Sequence, residues 1–127
     1  VSNEVINRPV DEGCAYLYGG SWGYTWPEVL AKFKTYAAAH PHADWLSLYL
    51  EGTNYTTDNK SLKISYLLNA LLIRKIEQEK GFAAVMPLLT CGKKEKGDEN
   101  YFKALLMVTG INKVNFNDEI SKLIAKA

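Results

Sequence analysis

The sequence predicts an all-α fold, a compact multi-helix domain of about six or seven helices, on three observations. Apolar residues recur at three- and four-residue spacing along most of the chain, which puts them on one face of a helix. The periodic segments open on capping residues and close on glycine or proline. No segment alternates apolar and polar residues long enough to read as a half-buried strand. At 127 residues, 47% of them hydrophobic and 23% charged, the chain is long enough for one domain with its own core, residues 1–127.

The first helix begins near Pro9, a residue suited to a first turn, with Asp11 and Glu12 close behind it where acids meet unpaired N–H groups. "TWPEVLAKFKTYAAAH" opens on a capping box, Thr25 as N-cap and Glu28 three residues on, and Val29, Leu30, Phe33, Tyr36 and Ala37 form its apolar face. Pro41 ends it. "DWLSLYLEG" follows, with Asp44 as N-cap and Gly52 as terminator. The longest element runs from about Ser61 to Lys80. Leu62, Tyr66, Asn69, Ile73 and Ile76 share one stripe, and Leu67, Leu68, Leu71 and Leu72 widen it. So broad an apolar face marks a central helix covered on several sides.

Gly81 stands where a left-handed C-terminal cap belongs. "FAAVMPLL" reads as a short helix that Pro87 bends or restarts, and "CGKKEKGDEN" as a solvated loop. A helix capped near Asp98 and ended by Gly110 comes next. The last carries Asp118 and Glu119 early and lysines late, in the order the helix dipole favours.

Charge narrows the function classes. Fifteen basic residues against fourteen acidic ones give a net charge of +1, which offers no electrostatic argument for nucleic acid. No apolar run approaches the roughly 20 residues that span a bilayer. Cys14 and Cys91 match no metal spacing; they either pair or stay as buried thiols, and free thiols fit a chain of this size better. The chain opens on Val1 without a signal-like segment, which reads as a processed, truncated or cut start.

Three constellations could carry chemistry. Glu12 reads either as a plain helix-start acid or as a metal ligand. Trp22, Tyr24 and Trp26, set among glycines in "GSWGYTWP", form either a stacking platform for a peptide or sugar substrate or a staple packed on the helix that follows. His40 and His42, one residue apart across a proline, suit a helix end and a loop rather than a shared metal, which needs histidines three or four apart. Arg74 is placed to pair with Glu77 or Glu79. Asn54-Tyr55-Thr56 and Asn59-Lys60-Ser61 are formal glycosylation sequons.

"RPVDEGCAYLYGG" resembles the segment that supplies the third zinc ligand in the gluzincin metallopeptidases, an acidic residue followed by glycine on a helix. The stretch from "ISYLLNALLIRKIEQEKG" through "DENYFKALLMVTGI" to "NFNDEISKLI" is similar to the helical tail of peptidase-MA-like proteins in the order of its pieces. Residues 40–60 have no counterpart in it. The resemblance implies that Glu12 is the third zinc ligand of an intact peptidase that hydrolyses peptide bonds with metal-activated water. It also implies that Tyr66, with Tyr49, Tyr55 and Tyr101 as rivals that would otherwise be core residues, hydrogen-bonds the tetrahedral oxyanion.

The His-Glu-x-x-His helix of that family is absent from these residues, so the resemblance places it upstream of Val1 and makes this chain a C-terminal portion, inactive and without tight zinc binding alone. The implied partners are a peptide or protein substrate and the missing N-terminal half, in a setting the resemblance tilts toward extracytoplasmic. The competing expectation is a non-catalytic helical module that binds protein or glycan through the aromatic segment.

Overall fold

The computed structural model describes residues 5–127. Seven α-helices are present among them: α1 (Arg8–Gly19), α2 (Trp26–Ala39), α3 (Trp45–Glu51), α4 (Ile64–Lys80), α5 (Met86–Leu89), α6 (Glu99–Thr109) and α7 (Phe116–Lys126). A 3-10 turn, Phe82–Val85, leads into α5. Between α3 and α4 lie two short strands, β1 (Asn54–Thr57) and β2 (Lys60–Lys63). The multi-helix expectation therefore holds: the fold is mostly helical, with one small two-stranded hairpin that periodicity did not show.

The hairpin escaped the alternation test because each strand is four residues long and points one large apolar side chain inward, Tyr55 and Leu62, which face each other in the antiparallel register. Its two-residue turn, Asp58-Asn59, has both residues at positive φ, the conformation a tight hairpin demands and that Asp and Asn tolerate. Leu62 consequently belongs to β2, and the long helix starts at Ile64 rather than Ser61; the Ile64 N–H donates to the Thr53 carbonyl at 3.0 Å.

Most helix ends follow the sequence. Asn7, buried, caps α1 by accepting from the Val10 N–H, and its own side chain ties back to the Gly92 carbonyl. Glu28 accepts from both the backbone N–H and the hydroxyl of Thr25, which holds its carboxyl below the usual range. Asp44 caps α3 through Ser47, and Asn117 of α7 bonds both Asp44 and the Leu46 N–H, so one side chain fastens the last helix to the third. Gly52 and Gly110 adopt the left-handed cap. Gly81 has positive φ but an extended ψ, and it starts the 3-10 turn instead of closing α4 with a left-handed cap.

Asp98 takes the N-cap position of α6 as expected, but its side chain does not make the cap. It sits in the left-handed region with no capping hydrogen bond from its side chain, which is turned inward and 3% exposed, one carboxylate oxygen without a partner among the described residues.

Helix α4 is the centre of the molecule, with α1, α3, α7 and the 3-10 turn packed on it, and nearly every residue from Ile64 to Ile73 buried. Within this apolar helix stands Asn69, fully buried and fully used. Its amide donates to the Tyr49 hydroxyl at 2.9 Å and the Ser65 carbonyl at 3.1 Å, and its oxygen accepts from the Tyr101 hydroxyl at 2.7 Å. Tyr49 and Tyr101 stack on one another at 5.1 Å, with Phe102 and Phe116 edge-on around Tyr49. Gly13 of α1 lies against the same residue so closely that a Cβ there would stand 2.7 Å from the Asn69 Cβ.

Replacing Asn69 by Leu keeps the volume but strands two buried tyrosine hydroxyls, an expected loss of about 2–5 kcal/mol that chemical denaturation would register. A loss below ~1 kcal/mol would contradict the network's role. For Asp98, burial pushes the carboxyl above its ordinary 3.8. The folded state then binds the proton more tightly than the unfolded one, so the penalty of the buried charge is full above the raised value and is relieved as pH falls through it toward 3.8. Asp98→Asn, which suits the left-handed backbone, is expected to raise the thermal midpoint at pH 7 and to remove that part of the pH dependence; a lower midpoint would show that the carboxylate is stabilising.

Candidate functional site

Glu12 lies early in α1, on the face that Arg8 shares one turn earlier, and the two side chains approach to 3.6 Å. Arg8 also stands beside the phenol of Tyr66 on α4, and its guanidinium is pushed further up by Tyr66 first and by Glu12 after it. Tyr66 in turn meets Tyr16 of α1 edge-on, with ring centroids 5.7 Å apart. The two residues singled out from the sequence as ligand and oxyanion stabiliser thus sit in one neighbourhood, joined by an arginine that sequence reading left aside. The signal was present: Arg8 and Glu12 are an i, i+4 pair of opposite charge.

What brings them together is the Gly13 contact. With no side chain in the way, α1 closes onto α4, and its first turn comes to lie beside the first turn of α4. The rival tyrosines take other places. Tyr49 and Tyr101 are fully buried in the Asn69 network, and Tyr55 packs among Tyr36 and Phe33. Burial pushes all three hydroxyls far toward the neutral form.

The aromatic segment is split. Trp26, the first residue of α2, is core, 8% exposed, its indole N–H without a partner among the described residues. Trp22 is 59% exposed at positive φ; its indole donates to the Ser61 carbonyl at 3.0 Å, and the Lys60 ammonium lies 5.5 Å from its ring centre. Tyr24 donates to Asp58, which also pairs with Lys32, and Lys32 covers the Tyr24 ring. Asp58 is held below its ordinary range by Lys32 and Tyr24. Trp22 and Tyr24 therefore clamp the hairpin from outside, while Trp26 anchors α2 inside, so no three-ring platform forms.

His40 closes α2, its ring stacked on Tyr36 at 4.2 Å and its Nδ1 2.8 Å from the Tyr36 carbonyl. Arg74 takes neither expected partner: Tyr18 bonds Glu77, and Lys75 pairs with Glu79. Both cysteines are free and half-buried, and burial pushes each thiol up to about 11.

A protein zinc site with an open position needs three protein ligands. Among the described residues no three His, Cys, Asp or Glu side chains come together, so these residues alone do not fit the metal; Glu12 offers one oxygen donor. Also among the described residues, no helix is long and apolar enough to cross a membrane.

No family model matches the chain, and neither any curated protein nor any solved structure does.

The split of the aromatics has a measurable consequence. Trp26→Ala removes a core ring at an expected cost of about 3–5 kcal/mol. Trp22→Ala is expected to change stability by less than about 1 kcal/mol. Equal losses in urea unfolding would mean that Trp22 is as much part of the core as Trp26.

Proposed function

We propose that this chain forms one wall of a gluzincin-like peptidase site, with Glu12 as one of its zinc ligands. Support comes from the sequence resemblance and from one structural observation: a carboxylate, a guanidinium and a phenol, Glu12, Arg8 and Tyr66, gathered at the α1–α4 junction. Zinc, held in the whole protein by Glu12 and two histidines outside these 127 residues, would supply an activated water for peptide-bond hydrolysis.

The chain's own residues have simpler tasks. Glu12 contributes an oxygen. Arg8 orients that carboxylate from behind, as the partners of metal-bound carboxylates do. Tyr66, packed against Tyr16 and beside Arg8, offers a phenol to the developing oxyanion. Arg8 stands beside both Glu12 and Tyr66, which fits a positioning role for the arginine.

A second reading, a non-catalytic module that binds protein or glycan, draws on the exposed Trp22 ring beside Lys60.

The two readings differ in metal content. The 127 residues alone are expected to bind zinc no better than the micromolar range, because a lone carboxylate holds it weakly. A longer form of the protein that supplies two histidines is expected to carry one zinc per chain and to cleave peptides. Glu12→Ala in that protein should lower zinc affinity by about tenfold or more and abolish cleavage. Equal zinc content and activity in the Ala variant, or sub-micromolar binding by the 127 residues, would overturn the assignment of Glu12.

A further inference from the structure

Beside Arg8 and Tyr66 a cavity of about 220 Å³ opens between three helix ends. Arg8 and Pro9 come from the start of α1, Glu51 and Gly52 from the end of α3, and Lys63, Ser65 and Tyr66 from the start of α4; Lys94 reaches in from the loop before α6.

Four independent features point to an anion. First, α4 is a 17-residue helix whose N-terminus has no side-chain cap among the described residues, its N-cap position being held by Lys63. Such a helix start presents unpaired donors and the positive end of the dipole. Second, Ser65 is fully buried against this cavity and its hydroxyl has no hydrogen-bond partner among the described residues. A buried hydroxyl without a partner is uncommon and costs stability unless a ligand or water satisfies it.

Third, three cations converge here. Lys63 donates to the Gly52 carbonyl at 3.1 Å and Lys94 to the Leu50 carbonyl at 3.0 Å, which leaves each ammonium with further donors. Arg8 brings a planar fork that uses only part of its donor set on Glu12. Fourth, the charge count selects the class of anion. Against the three cations stand Glu51 in the lining and Glu12 on Arg8, with Asp11 further from Arg8, so the surplus is at most a single positive charge. That balance matches a monoanion such as a carboxylate, not a dianionic phosphate. Pro9 and the Tyr66 ring supply the apolar wall for a short side chain next to it.

We infer that the pocket between Arg8, Lys63, Lys94 and the start of α4 binds the C-terminal carboxylate of a peptide. The inference deepens the peptidase reading and rests on it for the word substrate: Arg8 touches both Glu12 and this pocket, so a terminal carboxylate seated here places the end of the chain beside the proposed ligand. It makes the activity that of an enzyme selective for free C-termini. The binding itself requires no metal.

The test is a metal-free titration of the 127-residue chain, followed by the amide resonances of Ser65 and Tyr66. The probes are N-acetyl-dialanine, its C-terminal amide, and inorganic phosphate. The free acid is expected to shift both resonances saturably. The amide should bind about tenfold more weakly or worse, since it loses the charge-assisted hydrogen bonds. Lys63→Met and Ser65→Ala should each weaken the free acid by a similar factor. Both variants are expected to fold, and unchanged resonances of Tyr101 and Phe116 would verify it. Equal binding of acid and amide, absence of shifts at Ser65 and Tyr66, or phosphate binding tighter than the acid would each overturn the inference. Carboxylate binding in a chain whose gene product carries no zinc would remove the peptidase reading and leave the pocket standing.

Discussion

The structure hangs on one buried side chain. Asn69 is the single strongly polar residue set in the middle of the apolar face of α4, and it can be there only because every group it offers has a partner. Tyr49 arrives from α3 and Tyr101 from α6, and each needs Asn69 as much as Asn69 needs it. The apolar contacts around them are interchangeable in kind, whereas a hydrogen bond between buried groups has one geometry. The network therefore fixes the rotation of α4 and the depth at which α3 and α6 dock. Gly13 completes the arrangement from the fourth side, since it lets the α1 backbone lie against Asn69.

That same contact decides what lies near the proposed site. Because α1 crosses α4 at Gly13, the turn before the crossing delivers Arg8 and Glu12 to the start of α4, where Tyr66 waits. An acidic residue followed by glycine on a helix is thus one structural unit: the glycine sets the approach, and the acid one residue earlier is carried to the helix junction. The tie from Asn7 to Gly92 and the Leu89 carbonyl keeps the start of α1 from fraying, so these side chains stand on an anchored turn.

Helix positions were legible in the sequence because capping and periodicity are local. Thr25 with Glu28, Asp44, Gly52 and Gly110 each act within a turn of their own position, and each stands as read. At Asp98 the helix boundary was legible but the use of the side chain was not, because the same residue type serves a cap or a left-handed turn, and the choice depends on Gly97 before it and on the burial around it. The aromatic segment kept two readings open for a similar reason: Trp22, Tyr24 and Trp26 share a stretch of sequence, but the chain enters α2 between them and turns Trp26 to the other side. The meeting of Lys63, Ser65 and Lys94 was not legible, since it depends on three helix ends converging.

The hairpin explains why that meeting place is open. A helix that follows a loop can recruit a Ser, Thr, Asp or Asn to close its first turn, as α2 and α3 do here. Helix α4 follows β2 without a loop, so its N-cap position is occupied by Lys63, a strand residue in extended conformation. A lysine has no acceptor with which to satisfy the first-turn N–H groups. Its ammonium turns instead to the carbonyl at the end of α3, beside the Lys94 contact to the same helix end. Two cations thus neutralise the negative end of α3 while the positive end of α4 goes uncapped a short distance away. A strand feeding directly into the central helix leaves its first turn without a side-chain cap among the described residues, and the positive charges of Lys63, Lys94 and Arg8 gather beside it.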